Sequence, residues 1–360
     1  MTSSSLPANP FVAAGIIEDL RLFVGREDEL RQIISRMEGA QPTSINIYGE
    51  KRIGKSSLLY HFFLTWEYRV QSPSRYVVIY LSLQNVQCQT ENQFYQAIAD
   101  ELLKSATVVN NSALSQVLQV TPLDRGKFSD AVREWKKLGV LPVLCLDDFK
   151  TLFENKTEFN NGFYDNLRSL MNSNSLMLVI ATNKVLDFYI DKNQLTSPFS
   201  NLFHMIKLGE LKKDEVEDLL RLPASTVHNT LAVLSLDEQR LCQQLAGSHP
   251  FLLQLAGSLA CEARQLGHDE NWVKKRFAAE MRRLPSRWNR KNWRQLRWWV
   301  WELPVQLGKI TKFAGTSVDG VSSWIIGLVI MLMLILVILG ISRRNDLCYF
   351  IRKILEIKYL

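Results

Sequence analysis

The sequence predicts an α/β fold in which a parallel sheet has helices on both faces and is followed by a helical domain and a single C-terminal transmembrane helix. Three patterns carry this prediction. Up to about residue 208, short apolar runs alternate with segments of helical periodicity, which is typical of a parallel sheet buried on both faces. From about residue 209, the spacing of apolar residues is helical throughout. Residues 320–342 then contain no charged side chain, and about 20 such residues suffice to span a bilayer.

Four strands are predicted, and each is short and almost entirely apolar. They are residues 44–48 (SINIY), 75–83 (RYVVIYLSL), 141–149 (LPVLCLDDF) and 176–182 (LMLVIAT). Helical spacing predicts a helix that ends at Gly39 and further helices at 91–104 and 127–139. The predicted organisation is a loose N-terminal lead at 1–20, an α/β core at 21–208, a helical lid at 209–285, a basic tryptophan-rich segment at 286–318, the span at 320–342 and a basic tail at 343–360.

The positive charge of the chain is concentrated in the segment before the predicted span. The net charge is +7, yet nine Lys or Arg and a single acid, Glu302, lie between Arg282 and Lys312. Five of the nine tryptophans lie within residues 286–304. Arginine and tryptophan interleaved beside a span favour an interfacial helix on anionic lipid. A plain juxtamembrane linker and a nucleic-acid contact remain open alternatives.

The cysteines and the N-terminus argue against a secreted, disulfide-stabilised protein. The five cysteines include no C-x-x-C pair, and Cys145 lies in an apolar strand. This pattern indicates reduced thiols and neither a disulfide framework nor a zinc site. The first 15 residues have no basic region and no long apolar core, so we expect no signal peptide there.

Residues 49–56, GEKRIGKS, have the spacing G-x-x-x-x-G-K-[ST] of a phosphate-binding loop. The loop follows a predicted strand and precedes a predicted helix, which is the context that such a loop requires. Its glycines allow backbone N–H groups to face a phosphate at the start of a helix. We expect Lys55 to contact the β- and γ-phosphates of ATP or ADP and Ser56 to bind Mg²⁺. The expected nucleotide contacts of the loop are Gly49, Glu50, Lys51, Arg52, Ile53, Gly54, Lys55, Ser56 and Ser57.

Two carboxylates at the end of the third predicted strand supply the second half of this site. Asp147 is expected to hold Mg²⁺ through its water shell, and Asp148 to position or deprotonate the attacking water. An apolar strand lies between the loop and these acids, as in the ASCE class of P-loop ATPases. Asn183, after the fourth strand, is a candidate to sense the γ-phosphate, although a helix cap or turn would also explain it.

FVGREDEL, GEKRIGKSSLL, LCLDDF and AGSHPFLLQLAG occur in this order over roughly residues 10–285. Together they resemble the STAND class of signalling ATPases, relatives of the AAA+ and Orc-type ATPases. The resemblance implies that Val24, Gly25 and Arg26 lie near the adenine and that His249 and Pro250 of a helical lid close over the nucleotide. No arginine lies between Asn183 and Leu208, where an AAA+ motor usually carries its arginine finger. That absence, together with Asp148 in place of a glutamate, fits a slow switch better than a fast motor.

The sequence therefore predicts a single-pass membrane protein with a cytosolic ATPase domain that hydrolyses ATP slowly. The leading hypothesis is an ATP-controlled signalling or assembly switch that self-associates, acts with an unknown protein partner and, by family analogy, serves stress or antiphage defence. One alternative is a membrane tether or scaffold whose nucleotide is structural. Another is an Orc-like or transposition-type ATPase that associates with DNA.

Overall fold

A five-stranded parallel sheet forms the centre of the computed structural model, which describes residues 9–84, 88–223 and 232–283. The sheet order is β2-β3-β4-β1-β5. The strands are β1 (Ser44–Tyr48), β2 (Tyr76–Ser82), β3 (Leu141–Asp147), β4 (Met177–Thr182) and β5 (Phe203–Lys207). The prediction of a parallel α/β sheet is confirmed, because all four strand pairs are parallel.

The edge strand β5 is absent from the sequence-based prediction. It pairs with β1 in a register that sets Ser44 opposite Phe203. Its sequence, FHMIK, is not a continuous apolar run, and only its first and fourth residues are buried. An edge strand has a neighbour on one side only, so it needs less apolar surface than the central strands.

Helices cover both faces of the sheet and then continue alone. In the α/β core they are α1 (Glu27–Met37), α2 (Lys55–Thr65), α3 (Glu91–Leu102), α4 (Ala106–Val109), α5 (Ser112–Ser115), α6 (Arg125–Lys137), α7 (Lys150–Glu154), α8 (Asn161–Asn172) and α9 (Leu186–Asn193). After β5 follow α10 (Lys213–Leu220), α11 (Leu236–Ala246), α12 (Pro250–Leu266) and α13 (Glu270–Arg283). Several begin where the sequence supplies a polar cap: the side chains of Thr90, Asp124 and Asn160 accept backbone N–H groups of α3, α6 and α8.

The strands contribute alternate residues to two hydrophobic clusters, one on each face. On β4, Leu178 and Ile180 join the cluster that contains α3, α6 and α8, whereas Val179 joins the cluster that contains α1 and α2. All six residues of β4 are buried. Burying one such aliphatic side chain contributes about 1.5–3 kcal/mol, which explains why apolar residues predominate in the central strands. The sheet is therefore held rigidly between two helical layers, with the carboxyl ends of its strands at one edge.

The chain divides into two compact units, Met1–Phe277 and Ala278–Leu360. The first contains the sheet, its helices, α10 to α12 and the first part of α13; the predicted lid at 209–285 covers the described helices α10 to α13. Of the second, the structure describes only residues 278–283, the end of α13. The predicted basic tryptophan-rich segment (286–318), span (320–342) and basic tail (343–360) lie outside the described residues.

The membrane localisation predicted from the sequence needs correction. Among residues 9–84, 88–223 and 232–283, no helix is both long enough and apolar enough to cross a membrane. The reason is visible in α12: it has 17 residues and carries Glu262 and Arg264 within its last two turns, whereas a span needs about 20 apolar residues. The prediction of a single-pass membrane protein is therefore wrong for the part of the chain that the structure describes.

Candidate functional site

The phosphate-binding loop connects β1 to α2 and is shaped by backbone angles that the sequence motif requires. Gly54, directly before α2, has φ +96°, which only glycine adopts readily. Gly49 has no room for a side chain, because an added Cβ would lie 2.5 Å from the carbonyl oxygen of Leu208. Arg52 has φ +64° and is therefore held in a conformation that is unfavourable for a residue with a side chain. The loop thus presents the start of α2 to the edge of the sheet.

The ammonium group of Lys55 lies folded against the loop. Its Nζ atom donates to the carbonyl oxygens of Gly49, at 3.1 Å, and Glu50, at 2.8 Å. Burial lowers the pKa of Lys55 to about 8, although the negative charges of Asp147 and Asp148 act in the opposite direction. The half-buried ammonium is thus held by two neutral carbonyl oxygens, and a phosphate would offer it a negatively charged partner.

Asp147 and Asp148 stand at the carboxyl end of β3, facing the same loop. The Asp147 side chain is buried, and its Oδ1 atom accepts the backbone N–H of Asp148 at 2.9 Å, while Oδ2 accepts the hydroxyl of Tyr80 at 3.2 Å. Asp148 has φ +51°, and its Oδ2 atom accepts Nε2 of Gln84 at 2.7 Å. Burial, and then the charge of Asp147, raise the pKa of Asp148. The two acids therefore have separate partners and separate environments.

A cleft of about 490 Å³ opens over the loop and the two acids. Its walls come from the α/β core on one side and from helices α10 and α12 on the other; they include Arg52, Lys55 and Ser56 from the loop region and Phe251 and Gln254 from α12. The guanidinium carbon of Arg52 lies 4.4 Å from the ring centroid of Phe251, a cation–π contact. The lid thus touches the phosphate-binding loop directly.

We call residues 9–17 the N-terminal strap, and residues 12–17 of this strap line the cleft. The sequence predicts a loose lead at 1–20, but two hydrogen bonds hold this segment. The Val12 backbone N–H donates to Gln254 Oε1 of α12 at 2.8 Å, and the Ile17 N–H donates to Ser57 Oγ of α2 at 3.2 Å. Phe11 is buried against α12, where a Cβ on Gly257 would lie 2.5 Å from its ring. The strap therefore connects the lid to the helix that follows the phosphate-binding loop.

The V-G-R stretch lies between the core and the lid. The guanidinium of Arg26 is buried and donates to the carbonyl oxygens of Gly209 at 2.6 Å and Ile53 at 3.4 Å. Its backbone N–H donates to Glu215 Oε1 of α10 at 2.6 Å. Gly25 has φ +76°, and an added Cβ would lie 2.7 Å from the same carboxylate. The guanidinium of Arg26 also pairs with the Glu29 carboxylate at 3.3 Å. Together these contacts fix the V-G-R stretch against α10.

The structure brings most of the predicted site residues to one cleft, but not all of them. The predicted residues that line the cleft are Val24, Arg26, Arg52, Ile53, Gly54, Lys55, Ser56, Ser57, Asp147, Asp148 and Pro250. Those outside its lining are Gly25, Gly49, Glu50, Lys51, Asn183 and His249. Asn183 lies in the bend after β4, and His249 is buried at the N-terminus of α12.

Five residues at the cleft were not predicted from the sequence. Gln84, Phe251 and Gln254 line it, whereas Tyr80 and Glu215 bind the lining residues Asp147 and Arg26. The signal for Gln84 was present, since a polar residue after β2 must lie beside the acids at the end of the neighbouring strand β3. Phe251 and Gln254 stand one turn apart directly after the singled-out Pro250. For Glu215 and Tyr80, the partners come from distant parts of the chain, and only the fold reveals them.

The residues at the cleft fit a magnesium ion that shares its coordination with phosphate. Ser56 and Asp147 both line the cleft and offer a hydroxyl and a carboxylate, which are the hard oxygen ligands that Mg²⁺ prefers. In the described part of the chain, no group of three His, Cys, Asp or Glu side chains is placed to hold a metal ion. Mg²⁺ is commonly bound by one or two carboxylates together with the phosphates of its substrate, and the donor set here matches that pattern.

Comparison with known proteins supports the fold. No curated protein sequence matches the chain. Among the solved structures that share the fold is the ORC2 protein of Aeropyrum pernix in ADPNP–ADP complexes. It is 16% identical, with 74% of this chain and 72% of that chain covered and a TM-score of 0.51. A Walker-type ATPase of Pyrococcus abyssi is 15% identical, with 85% and 89% covered and a TM-score of 0.51.

The family follows from the sequence match to a domain model. The model, described as an ATPase domain predominantly from Archaea, matches residues 23–230. The match spans more than half of the chain and runs from the V-G-R stretch through the phosphate-binding loop and the acids into the start of the lid. The chain therefore belongs to this family of ATPase domains.

Proposed function

We propose that the chain is a slow, magnesium-dependent ATPase of the STAND type that works as a nucleotide-controlled switch. The observation that carries this proposal is the meeting of Lys55, Asp147 and Asp148 in one cleft that the lid residue Phe251 also lines. Such a cleft can both hold a nucleotide and change when the nucleotide changes.

Nucleotide binding would rest on the loop and on the half-buried ammonium of Lys55. Lys55 would exchange its bonds to Gly49 and Glu50 for the β- and γ-phosphates. Ser56 and Asp147 would hold Mg²⁺, which supplies charge neutralisation between the β- and γ-phosphate oxygens when it is bound. The apolar end of the cleft, which includes Ile16, Phe23 and Leu219, offers the base a dry surface.

Slow hydrolysis follows from the state of Asp148. Its carboxylate is engaged by Gln84 at 2.7 Å, so this bond must be exchanged before Asp148 can orient or deprotonate a water. The aspartate side chain is also one methylene shorter than a glutamate and reaches less far over the cleft. Between Asn183 and Leu208 the chain has no arginine to stabilise the transition-state charge, a contribution worth about 10³–10⁵ in rate for P-loop enzymes that have it.

The switch itself would lie in the contacts between loop and lid. Arg52 of the loop meets Phe251 of α12, and the N-terminal strap joins α12 to α2. Phosphates bound to the loop would alter the position of Arg52 and, through Phe251, that of α12. We extend the proposal to self-association in the ATP-bound state, which would present a newly closed lid surface to a second copy or to a protein partner.

ATP turnover by the full chain tests the enzymatic part of this proposal. Wild type should release phosphate at about 10⁻² s⁻¹ or below, the order found for switch-type P-loop enzymes. Asp148→Asn should retain ATP binding and lose turnover, because the amide cannot take a proton. Lys55→Ala should lose both. Rates above about 1 s⁻¹ for wild type, typical of ordinary enzymes, would contradict the switch.

The oligomeric state, followed by light scattering, tests the signalling part. We expect a larger mass with a non-hydrolysable ATP analogue than with ADP, and no such difference for Lys55→Ala. Equal mass with both nucleotides, in a protein shown to bind both, would refute nucleotide-controlled association while leaving the ATPase proposal standing.

A further inference from the structure

Tyr80 contacts both elements that carry the proposed metal ligands: Asp147 on β3 and helix α2, which contains Ser56. It lies on β2, two residues before the strand ends, and its hydroxyl donates to Oδ2 of Asp147 on β3 at 3.2 Å. We propose that Tyr80 is a positioning residue that fixes the Asp147 carboxylate for Mg²⁺, an inference that rests on the proposed function of this site. Tyr80 itself would touch neither the metal nor the nucleotide.

The ring of Tyr80 is held by the helix that carries the other metal-binding residue. It packs edge-on against Tyr60, with ring centroids 5.1 Å apart and an interplanar angle of 81°, and against Phe63 at 6.1 Å. Both partners belong to α2, whose second residue is Ser56. Tyr80 therefore ties α2 to the carboxylate on β3, so that Ser56 and Asp147 keep a fixed separation.

The two hydrogen bonds on Asp147 define its orientation. The backbone N–H of Asp148 binds Oδ1 and the hydroxyl of Tyr80 binds Oδ2, one donor for each oxygen. Each oxygen keeps a second lone pair for a metal or a metal-bound water. A tyrosine hydroxyl is ordinarily protonated at neutral pH, so it can donate to Asp147 there.

Loss of the Tyr80 hydroxyl would free the carboxylate to rotate about its χ2 angle. Hydrogen-bond partners of metal-binding carboxylates typically contribute about 10–100-fold to metal affinity or activity. The bond at 3.2 Å is longer than the usual O–H···O distance, so we expect an effect near the lower end of this range. Nucleotide binding without a metal should be unaffected, because Lys55 and the loop do not contact Tyr80.

Tyr80→Phe tests the inference, because it removes the hydroxyl and keeps the ring between Tyr60 and Phe63. Tyr60→Phe is the matched control, since it removes a hydroxyl from the same aromatic cluster, and the side-chain hydrogen bonds described for Asp147 come from Tyr80 and Asp148. The measurement is binding of Mn²⁺ by electron paramagnetic resonance, with the full chain saturated by a non-hydrolysable ATP analogue. Binding of the same analogue in EDTA provides the second readout.

We expect Tyr80→Phe to raise the Mn²⁺ concentration at half-occupancy about tenfold, and Tyr60→Phe to leave it unchanged. Analogue affinity in EDTA should stay within about twofold for both variants. The inference would be overturned, while the proposed function stands, if Tyr80→Phe bound Mn²⁺ as tightly as wild type. It would also be overturned if both variants lowered the Mn²⁺ affinity equally. Absence of analogue-dependent Mn²⁺ binding in wild type would overturn the proposed function and the inference together.

Discussion

Raising the pH above 8 should weaken nucleotide binding through Lys55. Burial holds the pKa of this lysine at about 8 in the nucleotide-free cleft, so the ammonium that must meet the phosphates is half deprotonated at that pH. In the complex, the phosphate charges raise the lysine pKa well above this value. Binding above pH 8 therefore includes proton uptake.

The magnitude follows from the same pKa. The dissociation constant for ATP without metal should be nearly constant from pH 6.5 to 7.5, double near pH 8 and rise about tenfold by pH 9, or about 1.4 kcal/mol. Lys55 affects folding stability in the opposite direction. Between pH 8 and 10.5 the unfolded chain binds more protons at Lys55 than the folded chain, so the contribution of this residue to the free energy of unfolding increases as the pH rises. Weaker binding at pH 9 therefore cannot be attributed to unfolding caused by Lys55.

Titration with a fluorescent nucleotide gives the dissociation constant, and isothermal titration calorimetry gives the number of protons taken up on binding. Repeating the calorimetric titration in buffers of different ionisation enthalpy should show about half a proton taken up per ATP at pH 8 and nearly one at pH 9. Lys55→Arg is the matched control, because a guanidinium stays charged over this range and its binding should be independent of pH. A constant wild-type affinity up to pH 9.5 with no proton uptake would show that Asp147 and Asp148 keep Lys55 charged, and would refute the reasoning.

Two further substitutions test how the lid is fixed to the core. Gly25→Ala combines a positive φ with a Cβ only 2.7 Å from the Glu215 carboxylate, whereas Gly139→Ala has a similar φ of +77° and no atom within 4 Å. Thermal unfolding should therefore show that Gly139→Ala lowers the free energy of unfolding by about 1–2 kcal/mol and that Gly25→Ala lowers it clearly more. Equal decreases for the two variants would refute a tight fit of Gly25 against Glu215. Phe251→Leu removes the aromatic face beneath Arg52 and should speed ADP release by about two- to fivefold, measured by stopped-flow displacement; an unchanged rate would separate this contact from nucleotide retention.

The apolar core of the sheet was predictable because burial on both faces leaves a direct mark on the sequence. The central strands β3 and β4 are buried at every residue, and their runs of aliphatic side chains stand out in any window. The edge strand β5 has two intermediate positions and an exposed terminal lysine, and this mixed pattern resembles a loop. Its existence became visible only through pairing with β1.

The position of the loop and the two acids in one cleft was predictable for a different reason. A phosphate-binding loop works through its own backbone, so its glycines, Lys55 and Ser56 must be adjacent in sequence. The acids could be placed because they end a buried strand, and strand ends in a parallel sheet meet at one edge. These parts of the site depend on local sequence and on the period of the strands.

The lid side could not be predicted, because its contacts join residues that are far apart along the chain. The bond between Val12 and Gln254 spans most of the described chain, and a polar glutamine on a helix gives no indication of such a partner. The packing of Phe11 on Gly257 has the same character: a glycine inside a helix signals a close approach without saying of what. Tyr80 was hidden because an aromatic residue in a strand is ordinarily core.

Two measurements test most directly whether this cleft is a nucleotide site. The first is the amount of nucleotide that the full chain retains through purification, and the second is equilibrium binding of ATP. Wild type should carry close to one nucleotide per chain, mostly ADP if ADP release is slower than hydrolysis. Lys55→Ala should carry none. Circular dichroism checks that both proteins are folded. A folded wild-type protein that carries no nucleotide and binds no ATP would contradict the account, and so would a Lys55→Ala variant that binds ATP as tightly as wild type.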